Sequence, residues 1–140
     1  MQELHVLQEC KVVFEPVKIG TAEAVLIAVL LFDRNETILV LPSDYFIGDL
    51  NSFYVSIEKA SKLASETDSI VTFGVKSHEF NSEYGYINAV YAQKERCHIV
   101  KDFKEKPERK VSNNHYWNSR IFVFRAKRYI DEIKNCSDSL

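Results

Sequence analysis

The sequence predicts a single α/β domain built around a mainly parallel sheet. Three observations point there. Strand-like and helix-like segments alternate over residues 11–75, the rhythm of right-handed βαβ units. "TILVLP" is a continuous apolar, β-branched run, as in a strand covered on both faces. The length of 140 residues suits one modest core.

The elements follow in order. "KVVFEP" reads as a short buried strand ending at Pro16. "TAEAVLIAVLLF" reads as a helix, with Thr21 as its cap and Glu23 in its first turn. That helix is apolar nearly all round, which predicts deep burial. "TILVLP" is the next strand. Asp49 or Asn51 caps the helix "LNSFYVSIEKASKLASE", whose Phe53, Ile57, Ala60 and Ala64 fall on one face. "SIVTFGV" is a third strand. After Gly74 the rhythm changes, and "YGYINAVYA" and "CHIVKDFKEKP" read as a paired edge or flap. "SNNHYWNSRIFVFRA" is a polar turn entering an apolar strand, and "KRYIDEIKNC" is a short helix with Tyr129, Ile130 and Ile133 on one side.

Composition narrows the function classes. Hydrophobic residues make up 46% and charged residues 27%, the balance of a globular protein. A net charge of -2 gives no electrostatic case for nucleic acid or an anionic membrane. Cys10, Cys97 and Cys136 are far apart and form no CxxC or Cys/His ligand spacing, so a reduced cytoplasmic setting is the simplest reading. The longest apolar run, Ala24 to Phe32, is too short for a membrane helix, and the first residues, with Glu3 and His5, lack the basic region and apolar core expected of a signal peptide. No nucleophile elbow, H-E-x-x-H or P-loop is present, and the four histidines lack ligand spacing.

Chemistry concentrates at strand ends. In open α/β sheets ligands bind beyond the carboxyl ends of strands. Asp44 stands just past "ILVLP", where a carboxylate can hold a divalent cation against phosphate oxygens or cap the following turn. Glu15 ends "FEP", placed for a sugar or base hydroxyl or as a surface acid. In "EKP", Glu105 and Lys106 follow a strand; the ammonium suits a phosphate, and a solvated charged turn is the alternative. In "YWNS", Trp117 and Asn118 offer an apolar anchor and an amide donor, or a core residue and a turn residue. Gly74 and Gly85 permit close backbone approach or unusual φ.

In their order, "FEPVKIGTAEAV", "VLPSDYFIGD", "VTFGV", "YGYI", "FKEKPE" and "YWNSRIFVFRA" resemble the bacterial mannose-1-phosphate guanylyltransferases over roughly residues 12 to 130. The resemblance implies a partial Rossmann-like mixed sheet of the nucleotide-diphospho-sugar transferase type, with helices on both faces. It implies the conversion of mannose 1-phosphate and GTP to GDP-mannose and pyrophosphate with Mg2+. By position, Asp44 corresponds to a metal-binding aspartate. Gly85 and Tyr86 correspond to a sugar-contacting segment, Glu105 and Lys106 to a pair at the sugar phosphate, and Asn118 to a sugar-binding amide. Glu15, Thr21 and Ala22 correspond to a segment near the nucleotide. Such a transfer needs positioning and charge neutralisation rather than a protein nucleophile.

The departures are specific. The family's glycine-rich triphosphate loop has no counterpart in these residues, and neither does its second metal-binding aspartate; Asp131 and Asp138 come too soon. Ile19 and Gly20 stand where the family has arginine and asparagine, Tyr45 where it has histidine, and Arg120 where it has glycine. The expectation is therefore an incomplete nucleotidyltransferase domain, inactive as a lone chain, whose open sheet edge and apolar helix faces imply marginal solubility or a second chain that completes the sheet. A split enzyme, a non-catalytic gene remnant, a sugar-phosphate-binding module and another sugar-1-phosphate nucleotidyltransferase all fit these residues.

Overall fold

The computed structural model describes residues 12–14, 17, 20–76, 79–93, 97–108 and 115–137. Its elements are α1 (Thr21–Val29), β1 (Thr37–Val40), α2 (Leu50–Thr67), β2 (Val71–Lys76), β3 (Tyr86–Ala92), β4 (Cys97–Lys104), β5 (His115–Arg125) and α3 (Ala126–Ser137).

β5 is the hub of the sheet. Phe122 and Val123 pair with Val40 and Leu39 of β1 and also with Thr72 and Val71 of β2, so β1 and β2 lie on opposite edges of β5. Tyr116 and Trp117 pair with Lys76 and Val75 of β2 and with Ile87 and Tyr86 of β3. β3 therefore shares an edge of β5 with β1, and β4 pairs outside β3.

All these ladders are antiparallel, which corrects the expected parallel pairing. β1 and β2 do run in the same direction, because both oppose β5, and α2 is the crossover between them. The strand–helix–strand rhythm encodes direction, not adjacency. The long apolar strand β5, met late in the chain, inserts between the two. β1 accordingly alternates, with Thr37 and Leu39 exposed, rather than being buried on both faces.

Alternation along β5 divides the core. Phe122 and Phe124 pack with Val29, Ala126, Ile130 and Tyr129 of α1 and α3. Val123 points the other way, onto Ala60, Ala64 and Ile57 of α2. The helices thus cover both faces, as expected, and the alanines let α2 approach the sheet closely. Asp49, not Asn51, caps α2: its Oδ1 accepts from the Ser52 backbone N–H at 3.0 Å and its Oδ2 from the Ser52 hydroxyl at 2.6 Å.

Two further expectations fail. Val12, Val13 and Phe14 lie outside any strand and are exposed, with no ladder partner among the described residues. α1 buries only Val29, and Leu30 beyond its end is 62% exposed. Apolar residues all round a helix do not supply a neighbour for every side, and α3 and the sheet cover just one. Gly20, rather than Thr21, occupies the cap position of α1. No described helix is long and apolar enough to cross a membrane.

Candidate functional site

Cross-strand partners share a sheet face. Thr72 stands opposite Phe122, so it lies on the face covered farther along by α1 and α3. Gly74 follows two residues later on that face and is paired with Asn118. Side chains confirm the assignment: the Thr72 hydroxyl donates to Asn118 Oδ1 at 3.3 Å. Gly74 sits so close to Tyr116 that an added Cβ would lie 2.7 Å from the tyrosine Cβ.

Gly85, Glu105 and Asn118 meet on this face. Tyr86 pairs with Lys104 and with Trp117, so Gly85 is the next rung, between β4's Glu105 and β5's Asn118. The Asn118 backbone N–H donates to the Gly85 carbonyl at 2.8 Å. A Cβ at Gly85 would lie 2.8 Å from Glu105 Oε2 and 3.0 Å from Phe103 Cζ. The absence of a side chain at 85 is what lets the Glu105 carboxylate lie over this junction. Gly85 is buried, Asn118 half-buried and Glu105 exposed.

Tyr86 and Trp117 point to the opposite face, by the same alternation. The Tyr86 hydroxyl is committed to Asn81, accepting from its N–H at 2.8 Å and donating to its carbonyl at 3.0 Å. Its ring stacks on Phe80 at 5.8 Å. Trp117 packs on Tyr84 at 4.7 Å. The anchor and the amide of "YWNS" therefore serve different faces.

β5 then bulges. Between the pairs Thr72–Phe122 and Gly74–Asn118, β2 has only Phe73 while β5 has Ser119, Arg120 and Ile121. Asn118 Oδ1 accepts from the Arg120 N–H at 3.1 Å, and Ser119 Oγ accepts from the Ile121 N–H at 3.2 Å. Arg120 takes a left-handed φ of 59°, and Lys106, after Glu105, takes 40°. On the edge facing β1 and β3, the β1 ladder ends at Phe122 and the β3 pairing at the Gly85–Asn118 rung, leaving a gap beside the bulge. β1 runs antiparallel to β5, so the chain leaving Val40 for Asp44 heads toward this gap. Asp44 is exposed and makes no hydrogen bond or ion pair with another described residue.

Thr21 and Ala22 form the exposed first turn of α1. The Ala22 carbonyl accepts from the Tyr129 hydroxyl at 3.0 Å, and burial, then the nearby Glu23 charge, pushes the Tyr129 pKa up. No hydrogen bond joins this turn to the Gly85 group among the described residues. Glu15 lies outside the described residues.

No described cluster of three or more His, Cys, Asp or Glu is arranged to hold a metal. The Asp44 carboxylate, which has no partner among the described residues, is a single donor of the type that holds Mg2+, a cation usually held by one or two carboxylates together with substrate phosphates. Sequence reasoning missed Thr72 and Phe103. Thr72 orients the Asn118 amide, and Phe103 packs over Gly85. A strand threonine and a strand phenylalanine carry no signal of their own.

Comparison with known proteins shows the family of the chain. The nucleotidyl transferase family pattern matches residues 2–140. A mannose-1-phosphate guanylyltransferase of Salmonella montevideo is 38% identical over 136 residues, covering 88% of this chain and 29% of that protein. The crystal structure of a Helicobacter pylori protein described as mannose-6-phosphate isomerase superimposes with a TM-score of 0.71 at 33% identity, over 86% of this chain and 47% of that one. A Thermus thermophilus structure described as mannose-1-phosphate geranyltransferase gives 0.73 at 27% identity, over 85% and 37%. The chain thus spans less than a third of the Salmonella relative and less than half of each solved chain. Matched over nearly all of its own length, it belongs to the nucleotidyl transferase family.

Proposed function

We propose that this chain carries the sugar-1-phosphate-recognising part of a mannose-1-phosphate guanylyltransferase. In that reaction a phosphate oxygen of mannose 1-phosphate attacks the α-phosphorus of GTP. The bond to the β-phosphate oxygen breaks, and GDP-mannose and pyrophosphate result. The observation that carries this reading is the Gly85 junction, where Glu105 Oε2 lies over the glycine whose carbonyl accepts from the Asn118 N–H. Glu105 accepts from a sugar hydroxyl, and the Asn118 Nδ2 donates to another, its Oδ1 being held by Thr72 and Arg120. Lys106 faces the phosphate as a point charge. Asp44 would supply the protein ligand to Mg2+, which neutralises phosphate charge when bound.

Calorimetry with mannose 1-phosphate, glucose 1-phosphate and mannose tests the reading. Saturable binding of mannose 1-phosphate, weakened about tenfold or more in Glu105→Gln and Asn118→Ala, is expected for lost hydrogen bonds to a bound sugar. Equal affinity in those variants sinks the assignment. Tighter binding of glucose 1-phosphate favours another sugar-1-phosphate nucleotidyltransferase, which the nucleotidyl transferase match accommodates equally.

The 140 residues contain no glycine-rich triphosphate loop, so the chemistry requires that loop from another polypeptide segment. The purified chain is expected to release no pyrophosphate from GTP. Release that disappears in Asp44→Asn would show instead that it is a complete catalyst.

A further inference from the structure

We propose that Arg120 is a phosphate-binding residue of this site, converging with Lys106 on one phosphate group beyond the Gly85 rung. The proposal deepens the sugar-phosphate reading and depends on it only for what the phosphate is attached to.

Charge pairing sets Arg120 apart. Of the four described arginines, Arg34 pairs with Asp131 at 3.1 Å, Arg125 with Asp68 at 3.9 Å and Arg128 with Glu132 at 2.6 Å. Arg120 pairs with no described carboxylate, although it is exposed. A guanidinium presents its donors in a fixed fork that matches phosphate oxygens, so an unpaired one beside a candidate phosphate site is chemically apt.

Backbone conformation sets it apart again. Three described non-glycine residues have positive φ: Asp68, Lys106 and Arg120. Asp68 ends α2 as its C-cap. The other two are cations that both lie just past one rung of the sheet. Strained backbone tends to persist where function retains it. At Arg120 the bulge is pinned from three sides: by Asn118 Oδ1, by Ser119 Oγ and by the Thr72 hydroxyl donating to the Ile121 carbonyl at 3.2 Å.

Strand direction brings the two cations to one place. β4 and β5 both oppose β3, so they run parallel to each other. Lys106 lies one residue past Glu105 and Arg120 two residues past Asn118, in the same direction from the same rung. Two strand spacings separate β4 from β5, about 10 Å, a span that two long cationic side chains bridge from either side. The family resemblance has glycine at this position, so the cation is a feature of this chain.

The test follows Arg120 directly. The side-chain Nε–Hε resonance of Arg120 is observed by NMR in the purified chain during titration with inorganic phosphate, mannose 1-phosphate and mannose. It is expected to shift saturably with the first two and not with mannose. Arg120→Gln and Arg120→Gly are expected to weaken mannose 1-phosphate binding about tenfold without lowering Tm, and Arg120→Lys to restore part of it. An unmoved resonance overturns the proposal. So does an Arg120→Gly variant that binds as tightly or more tightly, which would make the arginine an obstruction. If mannose 1-phosphate binds no better than inorganic phosphate while the Arg120 dependence persists, the phosphate subsite stands and the sugar reading falls.

Discussion

The Asn118 backbone N–H donates to the Gly85 carbonyl at 2.8 Å. This single bond extends the β3–β5 ladder one rung past Tyr86 and fixes where the Glu105 carboxylate sits relative to the Asn118 amide. A methyl group at 85 would meet Glu105 Oε2 at 2.8 Å and Phe103 Cζ at 3.0 Å. Gly85→Ala is therefore expected to displace Glu105 and cost about 1–3 kcal/mol of stability through overpacking. Thermal unfolding measures the stability loss, and calorimetry with mannose 1-phosphate measures the displacement. Unchanged values in both would mean that Glu105 and Phe103 swing aside freely.

Arg120→Gly has the opposite sign. An L-residue in the left-handed region costs roughly 1–2 kcal/mol, and the extra unfolded-state freedom of glycine returns roughly 0.5–1. A net gain of about 0.5–1 kcal/mol is expected, or a Tm rise of about 2–4 °C. A fall in Tm would show that the Arg120 side chain makes stabilising contacts that outweigh its backbone.

The fold was legible where periodicity and chemistry coincide. The α2 face of Ile57, Ala60 and Ala64 and the Asp49 cap follow from spacing, and the β3–β4 pair from two apolar runs close in sequence. Strand adjacency was not legible, because Val71 and Leu39 meet the same residue, Val123, through pairings that local pattern does not encode. The exposure of Leu30 was hidden for a similar reason: apolarity states a demand for cover, not its source. At the site, the order of the sequence blocks pointed to Gly85, Glu105 and Asn118. The register shows why they meet. The part played by Thr72 emerges only once β2 is seen to lie against β5.

Asp49 gives a pH-dependent prediction. Hydrogen bonds from the Ser52 hydroxyl and the Ser52 backbone N–H hold its pKa below the usual 3.8. A carboxyl group with a depressed folded pKa stabilises the fold above its unfolded pKa, and that contribution is lost as pH falls through the folded value. Asp49→Ala is expected to lower Tm at pH 7, and the gap to the unmodified chain should close as pH drops below 3.8. A gap that stays constant through that range would exclude the charged cap as the cause.

Tyr129 makes a complementary case at high pH. Its hydroxyl donates to the Ala22 carbonyl, and its ring stacks on Phe124 at 4.6 Å. Tyr129→Phe keeps the stack and removes the bond, with an expected loss of about 1 kcal/mol in urea unfolding. Because the folded pKa is raised above 10.0, the protonated hydroxyl stabilises the fold below that pH and the contribution fades as pH rises through the folded value. The unmodified chain and Tyr129→Phe should therefore diverge in acid stability no further than at neutrality, and their alkaline transitions should differ.

The central place of β5 has a consequence for when this sheet can assemble. β3 and β4 are near neighbours in sequence and can join as soon as both have left the ribosome. Among the described strands β1 and β2 pair with β5 alone, so each waits for a strand synthesised long after it. Until then their backbone groups and the apolar side of α2 stay unclaimed, a stretch of synthesis during which a chaperone would find its longest opening.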